Sequence, residues 1–251
     1  MIADNTPAAA TVQELVRAPV GAALNLTFTV WSRSAGSARA GGDWCDAVAI
    51  SEDTIAFTVG DVSGHGDVVA GAMAVMRASI LRGIQDICVP SEVLSLANDA
   101  AFNDGAGTIV TAIVAFLNSR QRTLTFANAG HPPPLLVTGD KQAFLEHAPA
   151  DLPLGIFAKY RAADYVIALP AEAMLVFYTD GITEHERDPI CGEMELAEAA
   201  RRVFERPNVD AAQAIARQLL GKHPALDDAA AMVVRTPFTS MTQHQHTQGR
   251  I

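Results

Sequence analysis

Residues 54–66 read TIAFTVGDVSGHG, an apolar run that ends in an aspartate and a glycine-rich turn. Residues 54–60 predict a β-strand. The glycines around Asp61 let the backbone turn sharply and approach a ligand closely. Residues 68–88 then carry apolar groups at helical spacing without proline, which predicts a helix. We therefore expect a strand that delivers a carboxylate to a tight turn in front of a helix.

Along the rest of the chain, predicted strands follow one another in runs, and the predicted helices lie between these runs. Further strands are expected at residues 24–30, 46–50, 108–117, 123–129, 135–137, 165–169, 174–178 and 230–235. Further helices are expected at residues 91–103, 193–205 and 209–220. Because the runs of strands are not separated by crossover helices, the pattern favours antiparallel sheets with helices packed outside. The predicted fold class is α+β.

Length and composition indicate a globular protein, which could be one large domain or two small ones. The chain has 251 residues, of which 49% are hydrophobic and 18% charged, and this profile differs from that of a disordered chain. Residues 1–22 are alanine-rich with two prolines and predict a poorly ordered lead-in. Residues 239–251 form a polar tail that we expect to be disordered. The folded domain is expected to span residues 23–238.

Charge and cysteine content exclude several classes of protein. A net charge of −10 repels phosphate backbones, so no nucleic-acid partner is expected. The three cysteines are an odd number without a CxxC pair, which fits a reducing cytoplasm. The longest apolar segment, residues 68–76, is too short to span a membrane, and the N-terminus lacks the basic start of a signal peptide. We expect a cytoplasmic protein with no membrane partner.

Carboxylates stand at the ends of predicted elements in four places. They are Asp43 after two glycines, Asp61 and Asp180 at strand ends, and the pair Asp227–Asp228 before the last strand. Several carboxylates brought together repel each other unless cations neutralise them, and hard oxygen ligands select Mg²⁺ or Mn²⁺. The alternative for each site alone is a turn-forming aspartate. The conjunction of the four favours a metal centre.

Six segments carry a family resemblance. They are GGDWCD (41–46), GDVSGHG (60–66), TAIVAFLNSRQRTLTFANAGHPPPLL (111–136), LPLG (152–155), YTDGITE (178–184) and DDAAAMVVR (227–235). In this order they resemble the SpoIIE-type branch of the metal-dependent (type 2C) serine/threonine protein phosphatases, which includes regulators of sporulation and of stress sigma factors. The resemblance implies a four-layer α-β-β-α sandwich of two antiparallel sheets flanked by helices.

The resemblance also implies a centre of two divalent cations, Mn²⁺ or Mg²⁺. The implied metal ligands are Asp43, Asp61, the backbone carbonyl of Val62, Asp180, Asp227 and Asp228. In this assignment Asp61 bridges the two ions and Val62 binds one of them. Asp180 and Asp227 hold the other ion. Asp61 and Asp180 are thereby also the implied catalytic residues.

Some positions depart from the family pattern or carry a less direct role. Asp43 would act on the nearer ion directly or through water, and Asp228 supports Asp227 more readily than it binds an ion. Trp44–Cys45 replaces an aromatic pair, and Cys191 replaces a phenylalanine. Ala230 replaces a threonine, so a hydroxyl that supports the metal loop is expected to be missing.

The remaining candidates are polar or small residues of the same motifs. His65 is the candidate general acid for the leaving serine oxygen, and its alternative role is to structure the turn. Gly64 is assigned to substrate binding. His131, ahead of three prolines, is interpreted as a structural histidine beside the cleft that could also contact substrate.

The implied reaction is hydrolysis of phosphoserine or phosphothreonine by a metal-activated water, without a phospho-enzyme. The implied substrate is a phosphorylated STAS-domain protein such as an anti-sigma-factor antagonist. One alternative is a phosphatase-like module that binds a signalling partner without turnover, which Ala230 leaves open. Hydrolysis of small phosphorylated metabolites is a third possibility.

Overall fold

The structure is a computed structural model that describes residues 26–35, 41–64, 66–103, 107–146, 151–184, 188–221 and 227–236. Within these ranges the strands are β1 (Thr27–Arg33), β2 (Trp44–Ala49), β3 (Thr54–Val62), β4 (Val110–Asn118), β5 (Thr123–Ala129), β6 (Leu135–Val137), β7 (Gln142–Phe144), β8 (Tyr165–Ala168), β9 (Ala173–Tyr178) and β10 (Ala229–Thr236). The helices are α1 (Asp67–Asp86), α2 (Pro90–Asn103), α3 (Pro189–Phe204), α4 (Ala211–Leu220) and a short 3-10 helix (Asp180–Ile182). The expected lead-in, the expected tail and both predicted domain boundaries lie outside the described residues.

The strands form two antiparallel sheets. The first sheet has the order β1-β10-β9-β6-β7 and the second the order β2-β3-β4-β5-β8. Every described pairing between neighbouring strands is antiparallel. The α+β class and the antiparallel sheets expected from the sequence are confirmed.

Three apolar layers hold the sheets and helices together. The central layer lies between the sheets and includes Phe57 from the second sheet and Phe177 from the first, whose ring centroids are 6.0 Å apart. A second layer packs the first sheet against α3 and α4, and a third packs the second sheet against α1 and α2. The order of layers is therefore α-β-β-α, as the resemblance implied. No helix in the described ranges is both long and apolar enough to cross a membrane.

Central strands explain why some segments lack alternation in the sequence. All of β9 is buried, as is β10 except for Arg235. Each strand has a sheet neighbour on both sides and apolar layers on both faces, so both sets of alternating side chains must be apolar. Burying a large apolar side chain of this kind contributes about 1.5–3 kcal/mol.

Element boundaries differ from the sequence prediction at a few ends. The strand expected at residues 24–30 runs over Thr27–Arg33, because its pairing with β10 sets its limits. Helix α3 starts at Pro189 and not at residue 193, because the Asp188 carboxylate caps the Cys191 N–H at 3.1 Å. The short strand β7, which pairs with β6, was not predicted.

The antiparallel pairing brings the candidate residues to one end of the sandwich. Trp44 at the start of β2 pairs with Gly60 near the end of β3, which sets Asp43 beside Asp61. Tyr178 at the end of β9 likewise pairs with Ala231 near the start of β10. This pairing sets Asp180 close to the Asp227–Asp228 pair.

Candidate metal centre

Asp43 and Asp61 form the part of the site that belongs to the second sheet. Their carboxyl groups hydrogen-bond to each other. Burial, followed by the charge of Asp61, raises the pKa of Asp43 well above its ordinary value. Burial, followed by the charge of Asp180, raises the pKa of Asp61 to about 6. Two carboxyl groups that share one hydrogen bond in a partly dry site resist double ionisation.

Asp180 and Asp227 form the part of the site that belongs to the first sheet. Burial raises the pKa of Asp180, and the charge of Asp227 raises it further. The charges of Asp180, Asp227 and Asp228 also act on Asp61, so the two halves face one another. Glu184, which sequence reasoning missed, is close enough to respond to the same charges. Burial, followed by the charges of Asp180 and Asp227, raises its pKa.

Glycines allow the chain to pack tightly around these carboxylates. A Cβ on Gly42 would lie 2.6 Å from the Val62 carbonyl oxygen and 2.9 Å from Asp61 Oδ1. A Cβ on Gly41 would collide with the Asp228 carboxylate, and one on Gly181 with the Asp228 backbone carbonyl. The Val62 carbonyl and an Asp61 oxygen thus face the same small space, which any larger residue at position 42 would fill.

Asp228 holds the backbone of the site. Its two carboxylate oxygens accept hydrogen bonds from the Ala35 N–H at 2.7 Å and the Gly42 N–H at 2.8 Å. Its own N–H donates to Asp227 Oδ1 at 2.8 Å. These contacts support the structural role suggested for Asp228, and its direct binding of a metal ion stays a prediction.

Thr179 joins three segments of the site, and the sequence had not singled it out. The side chain is buried, and its hydroxyl donates to Asp43 Oδ2 at 2.7 Å. The same oxygen accepts a hydrogen bond from the Ala230 N–H at 2.8 Å. The Thr179 hydroxyl thus supports Asp43, and the effect of the missing hydroxyl at position 230 stays a prediction. A threonine directly before a strand-end aspartate was the available signal.

His131 lies inside the protein and not on the cleft wall. Only 4% of the residue is exposed. Its Nε2 lies 2.9 Å from the Tyr178 carbonyl oxygen and its Nδ1 lies 2.8 Å from Thr111 Oγ1. Nε2 must carry the proton, because a carbonyl oxygen can only accept a hydrogen bond. Burial lowers the pKa of the ring to about 4. His131 is a neutral structural histidine that joins the two sheets, and the expected substrate contact is not supported.

The other candidates divide into described and undescribed residues. His65 lies outside the described residues, so its role as general acid stays a prediction. Gly64 is exposed and adopts φ +118°, a conformation that favours glycine, and its contact with substrate is untested. Burial, then the charges of Asp43 and Asp46, raises the pKa of the Cys45 thiol, which disfavours a nucleophilic thiolate.

The donor set fits divalent cations by its chemistry. All the candidate ligands are carboxylate or carbonyl oxygens, and the pKa values of Asp43, Asp61 and Asp180 are all raised, which means that their ionised forms lack compensating positive charge. Within the described ranges, however, no three Asp, Glu, His or Cys side chains are grouped so that they could hold one ion. That Asp61, Asp180 and Asp227 share one metal shell stays a prediction.

Solved structures define the class of protein to which this fold belongs. The PP2C phosphatase domain of SpoIIE from Bacillus subtilis superposes with a TM-score of 0.70 at 15% identity, over 84% of this chain and 63% of that chain. The catalytic domain of the serine/threonine phosphatase PstP, in complex with two manganese ions, superposes with a TM-score of 0.63 at 14% identity, over 84% and 97%. The fold is that of the PP2C phosphatases.

Sequence comparison narrows the class to a family. Residues 51–237 match the family Stage II sporulation protein E (SpoIIE), and the chain belongs to this family. The phosphoserine phosphatase RsbU of Bacillus subtilis (strain 168) is 27% identical over 134 residues, which cover 53% of this chain and 40% of that protein. The RsbU and RsbW domains of Rv1364c from Mycobacterium tuberculosis are 28% identical, with a TM-score of 0.76 over 85% of this chain and 61% of that chain.

Proposed function

We propose that the chain is a protein serine/threonine phosphatase that hydrolyses phosphoserine or phosphothreonine with two divalent cations, Mn²⁺ or Mg²⁺. The observation that carries the proposal is that Asp43 and Asp61 of one sheet lie at the same end of the sandwich as Asp180 and Asp227 of the other. There the Thr179 hydroxyl donates to Asp43 Oδ2, and the charges of Asp180 and Asp227 act on Asp61. Membership of the SpoIIE family and similarity to a phosphoserine phosphatase support it.

Each residue has a distinct task in this proposal. Asp61 and the Val62 carbonyl would hold one cation, Asp61 would also reach the second, and Asp180 and Asp227 would complete that second site. Asp43 would act directly or through a water molecule. Bound divalent cations lower the pKa of a coordinated water and offset the charge of a phosphoryl group. The chain itself provides burial, which limits competing water and strengthens the electrostatic interactions.

The substrate is proposed to be a phosphorylated STAS-domain protein, such as an anti-sigma-factor antagonist, in the cytoplasm. An exposed apolar surface at the same end of the sandwich supports a protein substrate over a small metabolite. We give the name apolar patch to five residues that are 38–55% exposed, namely Phe102, Ile109, Leu152, Ile156 and Phe157. Their segments are joined by the Val110–Leu154 pairing and by hydrogen bonds of Asn98 in α2 to Gly155 and Phe157.

Backbone contacts join the apolar patch to the metal centre. The Ile109 carbonyl accepts the Ser63 N–H at 3.0 Å, directly after Val62. Ile109 precedes Val110, which pairs with Leu154 in the loop that carries Leu152, Ile156 and Phe157. The exposed cations Lys159 and Arg161 follow in the same loop and suit a partner with acidic groups, although the chain carries a net charge of −10. A phosphoprotein could thus contact the patch while its phosphoryl group reaches Asp61.

Asp180→Asn tests the role of the metal centre. The change keeps the size of the side chain and removes one charge, so turnover of p-nitrophenyl phosphate and of a phosphorylated STAS-domain protein should fall by orders of magnitude. Added Mn²⁺ should restore part of it if weaker binding is the main defect. With chelator, the variant should melt no lower than wild type, because repulsion with Asp227 decreases.

Asp53→Asn is the matched control. Asp53 directly precedes β3, at the opposite end of that strand from Asp61, and it forms an ion pair with the exposed Arg120. This variant should retain wild-type turnover. Wild-type turnover in Asp180→Asn would refute the metal role. Lost turnover together with an unfolded metal-free protein would indicate a structural turn. A wild-type protein that binds Mn²⁺ and its partner without releasing phosphate would favour the non-catalytic module.

A further inference from the structure

Thr179 occupies an N-cap position, where a threonine hydroxyl normally caps the first turn of the helix that follows. It lies between the end of β9 and the 3-10 helix that starts at Asp180, with the extended backbone of an N-cap (φ −94°, ψ 160°). A threonine there usually accepts a hydrogen bond from a backbone N–H of the first turn. The Thr179 side chain makes no such bond. Its hydroxyl is committed elsewhere.

The hydroxyl instead connects the two sheets across the site. It donates to Asp43 Oδ2, in the second sheet's half of the site, and accepts from the Ala230 N–H of β10 in the first sheet. The Thr179 N–H also donates to the Ala230 carbonyl at 3.0 Å, which fixes the backbone from which the hydroxyl projects. The preceding carbonyl, that of Tyr178, meets His131 Nε2 and makes a second polar contact between the sheets. Thr179 is therefore held rigidly while it holds Asp43.

Asp43 depends on this bond for its orientation. The backbone of the preceding Gly42 is held by Asp228 and by the Val62 N–H, but these contacts do not reach the Asp43 carboxylate. In the described part of the chain, the side chains that hydrogen-bond to Asp43 are Thr179 and Asp61. Asp61 is a carboxyl group that repels Asp43 once both are ionised. Thr179 is the neutral donor that keeps the ionised Asp43 carboxylate facing Asp61.

We propose that Thr179 is a positioning residue that sets the affinity of this site for divalent cations by fixing the Asp43 carboxylate. The inference rests on the metal centre of the proposed function, and not on phosphatase turnover. Without the hydroxyl, Asp43 Oδ2 and the Ala230 N–H both lose a partner, and the carboxylate turns away from Asp61. Loss of a side chain that orients a metal-binding group weakens affinity by about 10- to 100-fold.

Isothermal titration of Mn²⁺ into chelator-treated, full-length protein tests the proposal. Thr179→Val keeps the shape and removes the hydroxyl, and it should weaken Mn²⁺ binding by at least about tenfold. Thr179→Ser keeps the hydroxyl and should bind within about threefold of wild type. In an Asp43→Asn background, Thr179→Val should add little, because both changes remove the same interaction.

Thr236→Val is the matched control. Thr236 is a buried threonine at the other end of β10, and its hydroxyl donates to the Ala173 carbonyl at 3.2 Å. This variant should lower the melting temperature and leave Mn²⁺ affinity unchanged. A purely structural Thr179 would behave in the same way. If Thr179→Val unfolds without metal, Thr179→Cys replaces it, because a thiol is a weak donor and should also lose affinity.

The outcomes are distinct. Wild-type affinity in folded Thr179→Val, or equal losses in the valine and serine variants, would overturn the proposal. Additive losses in the Asp43→Asn background would also overturn it. A wild-type protein that binds Mn²⁺ but hydrolyses no phosphoserine would refute the proposed function and leave this test intact. A wild-type protein that binds no Mn²⁺ would overturn the metal centre and this inference together.

Discussion

The aspartates at this site are held where their ionised forms are disfavoured. Asp61 lies at the end of β3, where burial and neighbouring charges both disfavour its ionised form and raise its pKa to about 6. Asp43 and Asp180 show raised pKa values for the same first cause, burial. Such a set of carboxylates is costly to the folded protein at neutral pH, and costly polar groups of this kind are typical of functional sites.

Asp61→Asn should reveal this cost as a pH-dependent gain in stability. The pKa of Asp61 is higher in the folded protein than the ordinary value of 3.8. The folded state therefore keeps a proton that the unfolded state releases, and stability falls as pH rises from about 4 to about 6. With chelator present, the variant should exceed wild type by on the order of 3 kcal/mol at pH 7.5 and by little near pH 4.

Urea unfolding at both pH values measures this difference. His131, whose pKa is lowered to about 4, acts in the opposite direction, because its stabilising neutral form is lost as pH falls below about 6.5. Both proteins contain His131, so its contribution cancels in the comparison. A difference between the two proteins that does not change with pH would contradict the raised pKa of Asp61.

Individual elements are attached to the sheets by specific polar contacts as well as by apolar packing. Asp46 on β2 is 4% exposed and receives two hydrogen bonds of 2.6 Å from the Arg77 guanidinium on α1. Helix α1 follows the loop that begins after Val62, so this ion pair sets the helix against the sheet that carries Asp61. A buried carboxylate deprived of its partner is costly.

Arg77→Ala should destabilise the protein by about 3 kcal/mol, because it leaves the Asp46 carboxylate buried without its cation. Arg82→Ala in the same helix is the control. Arg82 is exposed and lies 3.6 Å from the exposed Asp86, so its loss should cost less than about 0.5 kcal/mol. Thermal or urea unfolding of both variants measures the contrast. Equal effects would show that the Asp46–Arg77 pair contributes no more than an exposed pair.

The molecule as a whole places two kinds of surface at one end of the sandwich. The candidate metal centre lies where both sheets end, and the apolar patch adjoins it through Ser63 and Ile109. An apolar surface beside a cluster of carboxylates suits a substrate with an anionic group on an apolar protein face, provided that cations neutralise the carboxylates. The proposed phosphoprotein combines these features.

Phe157→Ser should separate protein substrates from small ones. Phe157 is 55% exposed, so its replacement should leave the fold and the turnover of p-nitrophenyl phosphate unchanged. For a phosphorylated STAS-domain protein, kcat/KM should fall about tenfold, which corresponds to about 1.4 kcal/mol of lost contact. Val166→Ser, at a 65% exposed position on the edge strand β8, should affect neither substrate. Equal rates of Phe157→Ser and wild type on the phosphoprotein would refute docking at the patch.

The amino-acid sequence by itself determined the element types, the antiparallel α+β class and the candidate carboxylates. These features depend on local signals: apolar periodicity along β3 and β9, glycines beside Asp43, Asp61 and Asp180, and motif order for the family. The role of Thr179 was missed and the substrate contact of His131 is not supported, because both depend on what a side chain contacts and not on which residue it is. The effect of the missing hydroxyl at Ala230 stays a prediction.

Only the tertiary structure determined which side chains and backbone groups are in contact. Asp228 accepts the N–H of Gly42 across 186 positions of sequence, and Thr179 reaches Asp43 across 136. Such contacts follow from strand order and from the packing of one sheet on the other, neither of which leaves a periodic signal in the chain. Local patterns specify which face of a strand is buried, whereas the partner of a polar group depends on the whole fold.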